Sequence, residues 1–202
     1  MIEWSLDALS GCGAIVVAVP PGLELESGGL TVVAGGATRA QSVSNALARV
    51  ETDLVAIHDA ARPLVTAGLL EALVAELDAA PEAAAAIAAT PVADTVKRAT
   101  AGRAGTAMQQ RLIVAETVDR SALWAAQTPQ LFRTEALRAA LAVDPARRDA
   151  ATDEAMLIEG AGGTVLLHEV ATPNLKVTTP ADLKVAELLL SIRSGSESPA
   201  RP

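Results

Sequence analysis

Apolar runs of strand length alternate with amphipathic helical patterns along most of this chain, and that alternation restricts it to a layered α/β architecture. A strand covered by helices on both faces reads as a continuous aliphatic run rather than as an alternating one. AIVVAVP (14–20), LTVVAGG (30–36), DLVAIHDAARP (53–63, running into a loop), AAAAIAATPVA (83–93) and TVLLHEV (164–170) are runs of this kind. NLKVT (174–178) reads as a further short strand. Segments 3–10, 39–50, 66–80, 121–127, 134–141, 153–160 and 180–192 read as helices. Val43, Ala46, Leu47 and Val50 share one face of the second of these, and Thr66 caps the third, which Pro81 stops. The expectation is a mostly parallel, three-layer α/β sheet in a single domain over 1–192, followed by a disordered Ser- and Pro-rich tail over 193–202.

Residues 94–120 break the rhythm. DTVKRAT and RLIVAETVDR are strand-like and surround AGRAGTAMQQ, so they read as a projecting hairpin arm. A two-stranded arm is marginal alone and gains by packing on a partner chain; a surface loop is the alternative.

Composition narrows the function. The 202 residues include Trp4, Trp124 and Phe132 as their only aromatics, so Ala, Val and Leu must fill the core. A formal charge of −8 argues against non-specific nucleic-acid binding, which needs a basic face. The single cysteine, Cys12, rules out an intrachain disulfide framework and fits a reducing cytoplasm. No apolar run reaches the roughly 20 residues of a membrane span, and MIEWSLDAL lacks the pattern of a signal peptide. Small anionic substrates remain, served by local Lys and Arg. Neither His168 nor Cys12 stands at a metal-ligand spacing.

Four segments in order, GGATRAQSVSNAL (35–47), HDAARP (58–63), TPVADTVKRA with TVDRSALWAAQTPQLF (90–99 and 117–132), and TDEAMLIEGAG with NLKVTTPADL (152–162 and 174–183), resemble the 2-C-methyl-D-erythritol 4-phosphate cytidylyltransferases. The resemblance implies a Rossmann-like nucleotidyltransferase fold, CTP with Mg²⁺, and a homodimer joined by the arms. It also implies attack of a sugar-alcohol phosphate on the α-phosphorus of CTP, with release of pyrophosphate. Such chemistry needs positioning and charge neutralisation more than a covalent catalyst.

By the resemblance, Lys176 and Arg120 are the catalytic cations, and Thr95 and Thr128 bind substrate. Gly35, Gly36, Ser42, Asp59 and Ala60 line the nucleotide, with Asp59 a candidate for the metal. Each residue also has a plainer reading. Lys176 can be a strand-end lysine reaching for solvent, and Arg120 a solvated arm residue. Asp59 can pair with Arg62 and shape its loop, Ser42 can back-bond within its helix, and Thr128 can cap a turn before Pro129. His58 reads as structural, since ionised phosphate oxygens need no general base. Asp153 and Glu154 read as first-turn helix acids. Ala37 stands where some relatives carry Asp.

Family members open with a strand and a P-A-A-G-x-G-x-R loop that cradles the triphosphate, and the sequence before AIVVAVP contains neither. Losing one such electrostatic donor costs roughly 10²–10³ in rate. The expectation is therefore that the chain as written is inactive and poorly stable, and that its start has been assigned too late. Two alternatives stand beside the leading one: a ribitol-5-phosphate cytidylyltransferase, and a non-catalytic remnant that only dimerises.

Overall fold

The computed structural model describes residues 1–23, 25, 28–103 and 110–196. The expected arm tip within 104–109 and the tail at 197–202 lie outside the described residues. The order is α1 (Ile2–Leu9), β1 (Val16–Val19), β2 (Thr31–Ala34), α2 (Arg39–Leu47), β3 (Leu54–Ile57), α3 (Ala67–Ala79), β4 (Ala83–Pro91), β5 (Lys97–Arg103), β6 (Gln110–Thr117), β7 (Trp124–Arg133), α4 (Thr134–Leu141), α5 (Pro145–Ala150), α6 (Glu154–Gly160), β8 (Thr164–Glu169) and α7 (Pro180–Ser196).

The main sheet has the order β3-β7-β4-β8. β4 and β8 are parallel, while β7 runs antiparallel to both β3 and β4. β1 and β2 form a separate parallel pair. The sheet is therefore mixed and divided, where the sequence suggested one mostly parallel sheet. Helices cover both faces. Phe132 of β7 packs with Leu47, Leu137, Leu141, Leu157 and Ile158 from α2, α4 and α6. Its neighbour Leu131 points the other way, to Leu73 and Leu77 of α3. Along β4, Ala85 to Ala89 are all buried. The small side chains of its alanines let the helices approach the middle of the sheet closely, so a core nearly without aromatics still closes.

Three local expectations fail. Residues 121–127 do not form a helix; from Trp124 onward they belong to β7, where Ala125 and Ala126 pair with Thr90 and Ala89. Pairing with the end of β4 outweighs the helix preference of alanine. Residues 174–178 form no strand; bonds to the loop after β3 hold them instead. The last helix runs to Ser196, past the expected end at 192.

β5 and β6 form the expected hairpin, pairing from Lys97↔Thr117 to Arg103↔Gln110. Its apolar side chains face solvent: Leu112 is 81% exposed and Val114 62%. Among the described residues no helix is long and apolar enough to cross a membrane.

Phe132 is fully enclosed and bridges three helices. Phe132→Ala should lower unfolding free energy by about 3–5 kcal/mol, read as a lower urea midpoint by circular dichroism. Leu112→Ser on the arm should shift it by less than about 0.5 kcal/mol in the monomer.

Candidate functional site

β3 ends at Ile57, and the next two residues open the site. The amide of Asp59 donates to the Thr128 hydroxyl at 3.0 Å. That hydroxyl also lies 3.2 Å from His58 Nδ1, while His58 Nε2 lies 3.1 Å from the Arg62 carbonyl. A carbonyl can only accept, so Nε2 carries the proton, and the Thr128 hydroxyl donates to Nδ1. Burial pushes the His58 pKa down, against the smaller opposing effect of the Arg62 carbonyl. The ring is neutral and structural, as the sequence suggested.

The residues after Pro173 pass close to this loop without joining a ladder. Arg62 Nη1 donates to the Asn174 carbonyl at 2.7 Å, and Asn174 Nδ2 donates to the Thr128 carbonyl at 2.8 Å. The Val177 amide donates to the Ala61 carbonyl at 2.7 Å. Lys176 is carried between these anchors, and its Nζ meets Asp59 Oδ2 at 2.8 Å. On the other side, Arg39, the first residue of α2, has Nε 3.7 Å from Asp59 Oδ1. Its Nη1 bonds Glu154, a carboxylate only 1% exposed. Asp59 thus pairs with Lys176 and Arg39, and the alternative pairing with Arg62 does not form. Burial pushes the Asp59 pKa up, but the hydrogen bond and charge of Lys176, with Arg39 and Arg62, outweigh it and hold the carboxyl below its usual range.

The turn after β2 reaches the same end of the fold. The Gly35 amide donates to the Val19 carbonyl at 2.7 Å. A Cβ on Gly35 would stand 3.1 Å from that oxygen, and one on Gly36 would stand 2.3 Å from Gln41 Cβ. Both positions need glycine so that backbone can pack against backbone. Ser42 Oγ accepts from the Gly36 amide and donates to the Thr38 carbonyl, each at 3.0 Å, so its back-bonding reading holds. Ala60 is exposed beside Asp59.

Of the residues singled out in the sequence, Asp59, Lys176, Thr128, Ala60 and the Gly35–Ser42 turn come to one end of the fold. Thr128 is 4% exposed, so it acts by holding His58 and Asp59. Thr95 and Arg120 do not join them. Both are exposed at the base of the arm, where the Val118 amide bonds the Val96 carbonyl, and neither side chain bonds another described residue. Sequence reasoning missed Arg39, although it lies inside the GGATRAQS segment; a cation at the first position of a helix is unfavourable to the dipole and was the available signal. It also missed how Asp153 and Glu154 are used. Asp153 caps α6 and accepts from Gln130, and Glu154 is the buried partner of Arg39.

The divided α/β sheet, with Asp59 and its cations at the strand ends, superposes on solved cytidylyltransferases, which places it in the Rossmann-like nucleotidyltransferase class of fold. The family model for 2-C-methyl-D-erythritol 4-phosphate cytidylyltransferase (IspD) matches residues 1–192, and the chain belongs to that family. It is 47% identical over 168 residues to the enzyme of that name from Dechloromonas aromatica, covering 81% of this chain and 67% of the relative. It is 45% identical over 201 residues to a bifunctional IspD/IspF enzyme of Anaeromyxobacter dehalogenans, covering 94% of this chain and 50% of the relative. The crystal structure of the cytidylyltransferase from Thermus thermophilus superposes with a TM-score of 0.78 at 37% identity, covering 94% of this chain and 88% of that one. The chain spans between half and about two thirds of the length of these curated relatives.

Lys176→Met should raise the Asp59 pKa, because burial is then opposed by Arg39 and Arg62 alone. A carbon-detected NMR titration of the aspartate carboxyls reads it directly. In the unaltered protein the lowered Asp59 pKa stabilises the fold above the unfolded value of about 3.9, and this is lost as pH falls through the folded value. The lowered His58 pKa likewise adds stability above about pH 6.5 that fades as pH drops below it. Urea midpoints should therefore fall in two stages on acidification, and His58→Gln should remove the upper one.

Proposed function

We propose that this chain transfers a cytidylyl group from CTP to 2-C-methyl-D-erythritol 4-phosphate in isoprenoid-precursor synthesis. The observation that carries this reading is the Lys176–Asp59–Arg39 cluster at the strand ends of a chain belonging to the cytidylyltransferase family. A phosphate oxygen of the acceptor attacks the α-phosphorus, the bond to the bridging oxygen breaks, and pyrophosphate leaves with the electron pair. No protein nucleophile is required. Lys176, whose side chain is 46% exposed, can turn from Asp59 toward the entering phosphates and hold the two reacting groups together. The tight turn at Gly35 and Gly36 brings its backbone beside the nucleotide's base, and Ala60 lies beside its ribose.

Asp59 is the residue that would hold Mg²⁺. Among the described residues no group of three or more His, Cys, Asp or Glu side chains gathers. A lone carboxylate suits a cation bound mainly through phosphates and water. When bound, the ion would neutralise phosphate charge.

Thr95 and Arg120 fit the acceptor phosphate only if the arm reaches another site, and this supports a homodimer in which each arm serves the partner. The planar guanidinium suits bidentate capture of phosphate. The exposed Leu112, Ile113 and Val114 give such an arm an apolar surface to bury. A cytoplasmic setting fits the one free, exposed thiol, Cys12.

Protein extended by the glycine-rich loop that the family resemblance calls for, given CTP, Mg²⁺ and 2-C-methyl-D-erythritol 4-phosphate, should release pyrophosphate, and ribitol 5-phosphate should not replace the acceptor. Release with ribitol 5-phosphate alone, or with neither, would overturn the assignment. Lys176→Ala should lower kcat by roughly 10²–10³. Leu112→Asp with Val114→Asp should shift sedimentation from dimer to monomer, and should lower activity if the arms complete each other's sites.

A further inference from the structure

The side chain of Lys176 is a flexible four-carbon stem, so its ammonium meets Asp59 at one place only if the backbone beneath it is fixed. The segment 174–178 joins no sheet ladder that could fix it. Before Lys176, the Asn174 carbonyl accepts from Arg62, and Asn174 Nδ2 donates to the Thr128 carbonyl. After it, the Val177 amide donates to the Ala61 carbonyl. The chain then runs through T-T-P-A-D (178–182) into α7.

Pro180 suits the first helical position, where no amide is needed. Around it, Thr179 and Asp182 exchange the bonds of a capping box. The Thr179 amide donates to Asp182 Oδ2 at 2.8 Å, and the Asp182 amide donates to the Thr179 hydroxyl at 3.2 Å. The same Oδ2 accepts two further bonds, from the Thr178 amide at 2.9 Å and the Thr178 hydroxyl at 2.8 Å. A capping box requires neither. Thr178 lies outside the helix, two residues after Lys176, and both of its donors end on one oxygen. The bonds from Thr178, with those from Thr179, hold the Asp182 carboxyl down to about 2, so it is ionised at neutral pH.

The helix that carries Asp182 is itself anchored on the loop that carries Asp59. Ala186 of α7 is fully buried, and Arg193 Nη2 donates to the Leu64 carbonyl at 2.9 Å. In that same loop the Arg62 amide donates to the Asp59 carbonyl at 2.9 Å. Asp182 thus ties the backbone beside Lys176 to a helix seated on the loop of its ion-pair partner. We propose that Asp182 is a positioning residue for Lys176: by clamping Thr178, it holds the Lys176 backbone where the ammonium reaches Asp59. The placement stands on this geometry; its use in cytidylyl transfer rests on the role given to Lys176 above.

The chain has three lysines, Lys97, Lys176 and Lys184, so their acylation by an amine-reactive ester can be followed singly by mass spectrometry of the 202-residue protein. An ion pair slows the reaction of its lysine. Asp182→Ala should speed acylation of Lys176 by up to about fivefold, the extent to which a partly exposed pair holds a lysine back. Lys97, on the arm, should keep its rate. In an Asp59→Asn background there is no pair to lose, so adding Asp182→Ala should leave the Lys176 rate unchanged. A bare charge effect of Asp182 on the ammonium would not give that result. Thr178→Val removes the hydroxyl bond and keeps the capping box, and should speed Lys176 by about twofold; it carries the test if Asp182→Ala fails to fold. Asp182→Asn keeps an acceptor oxygen and should restore most of the slowing. An unchanged Lys176 rate, equal acceleration of Lys97, or the same acceleration with and without the Asp59 carboxylate would overturn the proposal. The first result would leave Asp182 a helix cap only. Acylation reads placement rather than turnover, so failure of the transfer reaction is separate from failure here.

Discussion

The buried end of β7 at Thr128 holds the site together. Its hydroxyl receives the Asp59 amide and meets His58, and its carbonyl receives Asn174. Three segments distant in sequence are thus fixed to one residue: the loop after β3, the sheet itself and the stretch bearing Lys176. Thr128 is placed there because β7 is inserted between β3 and β4 and reversed relative to both. Its core face is set by the alternation of Leu131 and Phe132, so packing and site geometry depend on the same register.

Electrostatics acts within that frame. The protein is acidic, at a formal charge of −8, yet Lys176, Arg39 and Arg62 act together on one half-buried carboxylate. Arg39 is held against Glu154, whose near-complete burial makes an unpaired charge there costly. Arg39 is therefore the fixed cation, and in the proposed transfer Lys176, whose side chain is more exposed, is the one that would move toward an arriving phosphate. The separation of fixed from movable charge suits a reaction that needs anions aligned rather than a nucleophile activated.

Much of this was legible in the sequence. β1, β2, β3, β4 and β8 stand as continuous aliphatic runs, and the Thr66 cap and the hairpin arm lie where pattern put them. The motifs carrying Asp59, Lys176 and the Gly35–Gly36 turn were recognisable in order. The misread elements share a cause. Residues 121–127 are alanine-rich and locally helical, but they became strand because the sheet had an open position for them. The 174–178 segment has strand composition, but its bonds go to Arg62, Thr128 and Ala61 rather than to a neighbouring strand.

The sequence by itself determined the layer architecture, the arm and the family, because periodicity and short motifs are local properties. Tertiary structure alone decided that Asp59 pairs with Lys176 and Arg39 rather than Arg62. It alone decided that Glu154 is a buried counter-charge and that Thr95 and Arg120 stand apart from the cluster. Charge pairing and strand adjacency depend on distances between residues more than a hundred positions apart in the case of Asp59 and Lys176. No local pattern encodes such a distance; it is fixed only when the sheet closes around β7.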